Sequence, residues 1–506
     1  MKANTNLKAG LLQGEPVRSS CRKLGSILLL IVISALPFWA QNDPFYNQQW
    51  GLSNYGQPIG FPSISGTPGA SIHAWLAWGI STGSDKNVVA VLDTGIDYTH
   101  PDLVANVWSA PTEFTVTIND PSCIGPPFTG GCLSSGQRTI TCPKDTHGFD
   151  FTTNSCDPMD HAVHGTAVAG IIGAVGNNGL GVVGVNWKAK IMALKIFERS
   201  NAETGTVPNA IKAIEFAVQV KKFFQSTGGA NVRVLNNSWG WQILPGQPAN
   251  VPQGLFDAIT LAGSNDMLFV ADAGENLNGP GLNNENNPEF PGGLSSTFDN
   301  VVSVAASDST DHLWPSSNYG SGTVSLAAPG VNILTPVLPI SATERVFGRY
   351  NYQTGTSFAA PHVSGAALLI LSACNEGTGF LKQHILDNVD RKQSFSGMVA
   401  SGGRLSVYNA MIGCFDQAMR KWTSVNDSRF QYIVPGTFQH DPLGWERNDP
   451  GWTYCSEDWG FLYSSLFVGP RAVTLYLATY KADPSLHYVN FYDPRIYKWT
   501  GWQRVP

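Results

Sequence analysis

Six short runs of apolar, largely β-branched residues recur between Asn87 and Ala327: Asn87–Leu92, Lys190–Phe197, Asn231–Leu235, Met267–Ala271, Asn300–Ala305 and Thr323–Ala327. They do not alternate apolar with polar residues, as strands with one wet face do. A sheet built from them is buried on both sides and has to be covered by helices. Between the runs, Val207 to Val220 repeats with helical periodicity, with Thr206 placed as N-cap and Pro208 in the first turn. This alternation predicts an α/β chain with a doubly wound, mainly parallel sheet.

That rhythm spans residues 41–414. From Ser109 to Asp157 it breaks into a long Gly-, Pro- and Thr-rich stretch without regular pattern, uncommon in a compact domain unless functional or cross-linked. Four of the eight cysteines, Cys123, Cys132, Cys142 and Cys156, crowd into it without Cys-x-x-Cys or histidine-ligand spacing. Two local disulfides in a surface insertion are expected, with three connectivities open. Of the other four, Cys21 lies ahead of the apolar run at 24–40, Cys374 is expected to pair with Cys414, and Cys455 is left single. After residue 415 the chain turns aromatic, with Trp422, Trp445, Trp452, Trp459, Trp499 and Trp502. A small β-rich module is expected at 415–506, its aromatics either filling its core or forming a platform for polysaccharide or protein.

Leu24 to Ala40 is an apolar run behind Arg18, Arg22 and Lys23, ending just before Gln41-Asn42-Asp43. Residues 1–40 read as a secretory signal and the protein as secreted. An uncleaved anchor is the alternative, although Ser34 and Pro37 interrupt a run already short for a span of ~20 residues. Five basic residues against Glu15 put +4 in this leader and leave −10 of the formal −6 on the rest, which argues against a nucleic-acid partner.

Asp93, His164 and Ser357 stand at the ends of predicted elements in the order Asp, His, Ser. Acyl transfer needs a hydroxyl that loses its proton on attack, an imidazole to take it and a carboxylate to hold the imidazole's tautomer. Asp93-Thr94-Gly95 alone would also suit an aspartic protease, but no second such carboxylate motif occurs. Local sequence carries the case further. Val91-Leu92-Asp93-Thr94-Gly95-Ile96-Asp97, His164-Gly165-Thr166-Ala167-Val168-Ala169-Gly170 and Gly355-Thr356-Ser357-Phe358-Ala359-Ala360-Pro361-His362-Val363-Ser364-Gly365 resemble the aspartate, histidine and serine motifs of subtilases, the subtilisin-like serine proteases. The similarity extends through Asn237-Ser238-Trp239-Gly240, Asn318-Tyr319-Gly320 and Ala327-Ala328-Pro329-Gly330-Val331. The resemblance implies a subtilisin-like fold, a monomer and hydrolysis of protein or peptide substrates through Asp93, His164 and Ser357. A helix from Phe358 to Ala373 would aim its N-terminal amides, the Ser357 N–H among them, at a developing oxyanion.

The chain also departs from that family. An asparagine usually follows Ala-Gly and completes the oxyanion hole; here Ala273-Gly274 is followed by Glu275 and then Asn276. An ionised carboxylate cannot donate. Either Asn276 shifts in by one residue, or Glu275 donates in its acid form, or activity is weakened or lost. Ala162-Val163 precede His164 where the family commonly has Asn-Gly, and Ala167 replaces a second histidine. By resemblance, Ser238, Trp239 and Gly240 form one edge and a wall of the principal pocket and the Gly205 neighbourhood the other edge, with a core role as the plainer reading of Trp239. A structural calcium ion would be held by Asp43, Asp102, Asn177 or Asn178, and the carbonyls of Leu180 and Val182, in a loop one residue longer than the common form. The similarity begins so soon after the apolar run that no room is left for the usual intramolecular chaperone. Two readings follow, an active endopeptidase and an impaired homologue that binds or scaffolds.

Overall fold

All six apolar runs become strands of one nine-stranded sheet. In this computed structural model the described residues are 42–413 apart from 61–62, 124–129, 199–205, 244–250, 340–347 and 375, followed by the backbone strands 439–441, 444–446, 459–465, 474–480, 487–493, 498–499 and 503–505. The expected signal segment and Gly205 lie outside them. Across the sheet the strands run Asp390–Arg391, Gly403–Arg404, Leu326–Pro329, Val301–Ser307, Leu268–Asp272, Val232–Asn237, Val88–Asp93, Ile191–Lys195 and Gly148–Asp150. Every neighbouring pair is parallel except the first.

The Val88–Asp93 strand is buried at every position. Val88, Ala90 and Leu92 share a core with Ala213, Phe216 and Val220 of the helix Thr206–Phe223 and with Leu255 and Ile259 of the helix Gln253–Ser264. Alternation turns Val89 and Val91 to the opposite face. The helix Thr356–Ala373 packs on the strands at 232–237, 268–272, 301–307 and 326–329. It is buried almost throughout, which is why it carries no polar stripe. After Val88–Asp93 the chain adds strands on one side of it, at 148–150 and 191–195, and then crosses to the other side at 232–237. Such a reversal leaves a crevice at the carboxyl ends of the strands that flank it.

The 109–157 stretch is more regular than its composition suggests. Phe114–Asn119 and Gln137–Cys142 form an antiparallel hairpin in which Phe114, Val116, Ile118, Ile140 and Cys142 join the core while Thr115 pairs with Thr141 on the outer face. The disulfides are Cys123–Cys132 and Cys142–Cys156. Cys374 is also disulfide-bonded, and its expected partner Cys414 is outside the described residues. The chain divides into two compact units, the first Ala40–Gln417 and the second Ala418–Pro506 together with Met1–Trp39. Strands of the second unit pair in antiparallel fashion, with 459–465, 474–480 and 487–493 in sequence.

Candidate active site

Asp93 is the last residue of its strand, at the crevice. Its Oδ1 lies 2.8 Å from Nδ1 of His164, the first residue of the helix His164–Gly173. Asp160 organises the approach: it accepts from Thr94 Oγ1 at 2.9 Å, from Ala162 N at 2.7 Å and from Thr166 Oγ1 at 2.6 Å. Thr94 Oγ1 in turn accepts the Gly165 N–H at 2.9 Å. Gly165 must be glycine, because a Cβ there would run into the Gly95 carbonyl and reach 3.1 Å from Asp93 Cβ. Val163 has φ 81°, a left-handed conformation that a β-branched residue adopts only under strain, of order 1–3 kcal/mol. The glycine common at this place in the family would carry no such strain. Burial on its own would lower the His164 pKa, but the carboxylates of Asp93, Asp272 and Asp160 outweigh it, and the net shift is upward.

Ser357 is the second residue of its helix, and the His164 ring lies 5.4 Å from the ring of the adjoining Phe358. Pro361 in this helix has no N–H to give to the Ser357 carbonyl four residues back. Ser238 Oγ supplies the missing donor at 2.7 Å, itself held by Asn236 Nδ2 at 3.0 Å, with Ser364 Oγ on Asn236 Oδ1 at 2.7 Å. The backbone at Ser357 is thereby fixed to the end of the Val232–Asn237 strand.

The Ser357 hydroxyl donates to Asp272 Oδ2 at 3.0 Å, with Ser238 O at 3.4 Å as its other acceptor. Among the described residues it has no hydrogen bond to His164. Asp272 was not among the residues singled out from the sequence. A carboxylate closing the otherwise apolar run Leu268–Ala271 was the signal available. Burial, and after it the Glu275 charge, push the Asp272 pKa up to about 7.

Glu275 stands over the start of the Thr356–Ala373 helix, where Oε2 accepts Thr356 N at 2.7 Å and Thr356 Oγ1 at 2.8 Å. An anion at a helix N-terminus is stabilised by the exposed amides there. Asn276 is turned away: its Nδ2 donates to Pro280 O at 2.9 Å and its Oδ1 accepts Asn278 N at 3.2 Å, so the one-residue shift does not bring its amide to Ser357. The Ser357 N–H, in the first turn, needs no intrahelical acceptor and is the donor left for an oxyanion. Gly240 is exposed beside the site, whereas Trp239 is buried against Phe197, with ring centroids 6.4 Å apart.

The residues expected to bind calcium do come together. Asp43 accepts the N–H groups of Asn177, Asn178 and Gly179 at 2.7, 2.9 and 3.1 Å. Asp102 accepts Asn178 Nδ2 at 2.8 Å and Val182 N at 3.0 Å, and Asn178 Oδ1 takes the Leu180 N–H at 2.8 Å. A hard cation needs six to eight oxygens converging on it. Here the carboxylates and the Asn178 carbonyl each accept N–H donors, which draws the loop 177–182 around them.

Comparison with known proteins agrees with this architecture. The model of the subtilase family matches residues 84–399. The chain is similar to the thermophilic serine proteinase of Bacillus sp. strain AK1, with 29% identity over 74% of this chain and 69% of that one. It is 28% identical to subtilisin-like protease 1 of Plasmodium berghei over 76% of this chain and 58% of that one, and 28% identical to thermitase of Thermoactinomyces vulgaris over 74% and 99%. With the family model covering more than half of its length, the chain belongs to the subtilase family.

Proposed function

We propose that the protein is a secreted serine endopeptidase that cleaves peptide bonds through an acyl-enzyme. The observation that carries this is the Asp93–His164 pair, 2.8 Å apart, beside the helix whose first turn bears Ser357. The Ser357 hydroxyl turns about χ1 from Asp272 toward His164, a step between staggered wells. Its Oγ attacks the scissile carbonyl while the imidazole takes the proton. Asp93 holds the imidazole's orientation and stabilises the imidazolium. The Ser357 N–H receives the oxyanion. The imidazolium then protonates the leaving amine, and water, deprotonated by the same imidazole, releases the acyl group. The leader-like run Leu24–Ala40 and the two disulfides in the first unit support export.

A second reading, an impaired homologue with a binding or scaffold role, draws on two contacts: the hydroxyl bonded to Asp272, and Glu275 accepting hydrogen bonds where the family has a donor. A fluorophosphonate probe separates the two. Labelling of the wild type that disappears in Ser357→Ala is the expected outcome for the peptidase. Equal silence of both proteins would establish the impaired reading.

A further inference from the structure

Glu289 carries a carboxylate that neither the sequence motifs nor the proposed reaction use. It pairs in a short antiparallel ladder with Gln242, beside Phe290 and Trp241. Its side chain lies in a slot between two glycines. A Cβ on Gly240 would come 2.5 Å from Glu289 Oε1, and one on Gly274 would come 2.7 Å from Glu289 Cδ. Both walls lead to the nucleophile. Gly240 lies two residues after Ser238, whose carbonyl is 3.4 Å from Ser357 Oγ, and Gly274 precedes Glu275, which holds Thr356. At the Ser357 end stands Asp272, with Oδ2 on the hydroxyl and Oδ1 buried and without a hydrogen-bond partner.

Asp272 and Glu289 are only 5% and 6% exposed. Among the described residues no lysine or arginine forms an ion pair with either, or with Glu275, and Glu289 makes no side-chain hydrogen bond. Burial, with Asp272 and Glu275 adding to it, raises the Glu289 pKa well above the usual carboxylate range. Two acids so placed cost stability once ionised, because the Ser357 hydroxyl on Asp272 is the one side-chain donor that either of them has among the described residues. A positive group entering the slot would supply the missing counter-ion.

We propose that Glu289, with Asp272 beside it, makes this slot the pocket for the side chain preceding the scissile bond and selects lysine or arginine there. The assignment rests on Ser357 being the nucleophile of a peptidase. The two glycines leave the space that the Glu289 carboxylate fills, and Gly240 is exposed, so an ammonium or guanidinium brought over Gly240 would meet that carboxylate. Glu289 is thus a specificity-determining residue, and Asp272 contacts the Ser357 hydroxyl.

Peptidyl p-nitroanilides of one sequence, differing only in lysine, arginine, leucine or phenylalanine before the cleaved bond, test this. The wild type is expected to favour lysine and arginine by about 30-fold or more in kcat/KM, the scale of a desolvated charge pair. Glu289→Gln is expected to shrink that ratio by roughly 10-fold or more, lowering the lysine rate and raising the leucine rate, which a general loss of structure would not do. Wild-type preference for leucine or phenylalanine overturns the pocket assignment and leaves the peptidase reading intact. Calorimetric binding of the same peptides to Ser357→Ala decides the matter if nothing is hydrolysed. Tighter binding of the lysine peptide then supports the slot while the peptidase reading fails, and equal binding overturns the slot as well.

Discussion

Glu275 shows how one side chain serves structure and burdens chemistry at once. Its carboxylate caps the nucleophile's helix through Thr356 N and Oγ1, yet in its ionised form it offers no proton to an oxyanion next to Ser357. Glutamine keeps an oxygen for Thr356 and adds an amide donor. Glu275→Gln is therefore expected to raise kcat about 10-fold or more at pH 8, within the range that one oxyanion donor contributes. An unchanged or lower kcat in burst-resolved kinetics would show that the acidic group is not the obstacle. The departure at Ala273-Gly274-Glu275-Asn276 was legible in the sequence. The direction of Asn276 was not, because it depends on a tight turn to Pro280 that composition does not reveal. Asp272 and Glu289 were overlooked for a related reason: Asp272 closes an apolar run and Glu289 sits in an Asn-, Pro- and Gly-rich stretch, and neither carries a motif.

The nucleophile's helix contains an interior proline, and the chain answers it from a neighbouring strand end. Ser238 Oγ takes the place of the N–H that Pro361 lacks. Ser238→Ala is expected to lower stability by about 1–2 kcal/mol, the cost of a buried carbonyl left without a donor. Adding Pro361→Ala restores an intrahelical N–H and should recover part of that loss. Urea unfolding of the four proteins in this cycle measures the coupling, and strict additivity would mean the two sites do not share the Ser357 carbonyl. All six expected strands were legible because a covered parallel sheet writes continuous apolar runs. The hairpin at 114–142 was concealed by its many glycines, prolines and threonines, although Phe114-Thr115-Val116-Thr117-Ile118 alternates as a half-buried strand should. Its outward threonines face solvent and its inward residues meet the Thr206–Phe223 helix, a division that local composition averages away.

For the molecule as a whole, the buried acids set how stability follows pH. Asp272 at about 7, Glu289 well above its ordinary value and His164 raised all hold protons more tightly folded than unfolded. Each contributes stability that is full below its unfolded pKa and is lost as pH rises through the folded one. His100 and His362, lowered to about 4, act in the opposite sense, but that change is nearly complete by pH 7 because an unfolded imidazole titrates near ~6.5. Lys221, lowered to about 8, enters only at the upper end. The stability of the wild type relative to Asp272→Asn in urea unfolding is therefore expected to fall from about pH 4 to about pH 7 and then level off; a difference that stays flat or rises over this interval contradicts the assignment. The two rims of the large sheet bear on a different hazard. One closes with the three residues Gly148–Asp150 and the other with the two residues Asp390–Arg391, set antiparallel to their neighbour. Strands this short give a passing extended chain almost no ladder to add to. The sheet thus ends in rims that offer an aggregating neighbour little backbone to pair with.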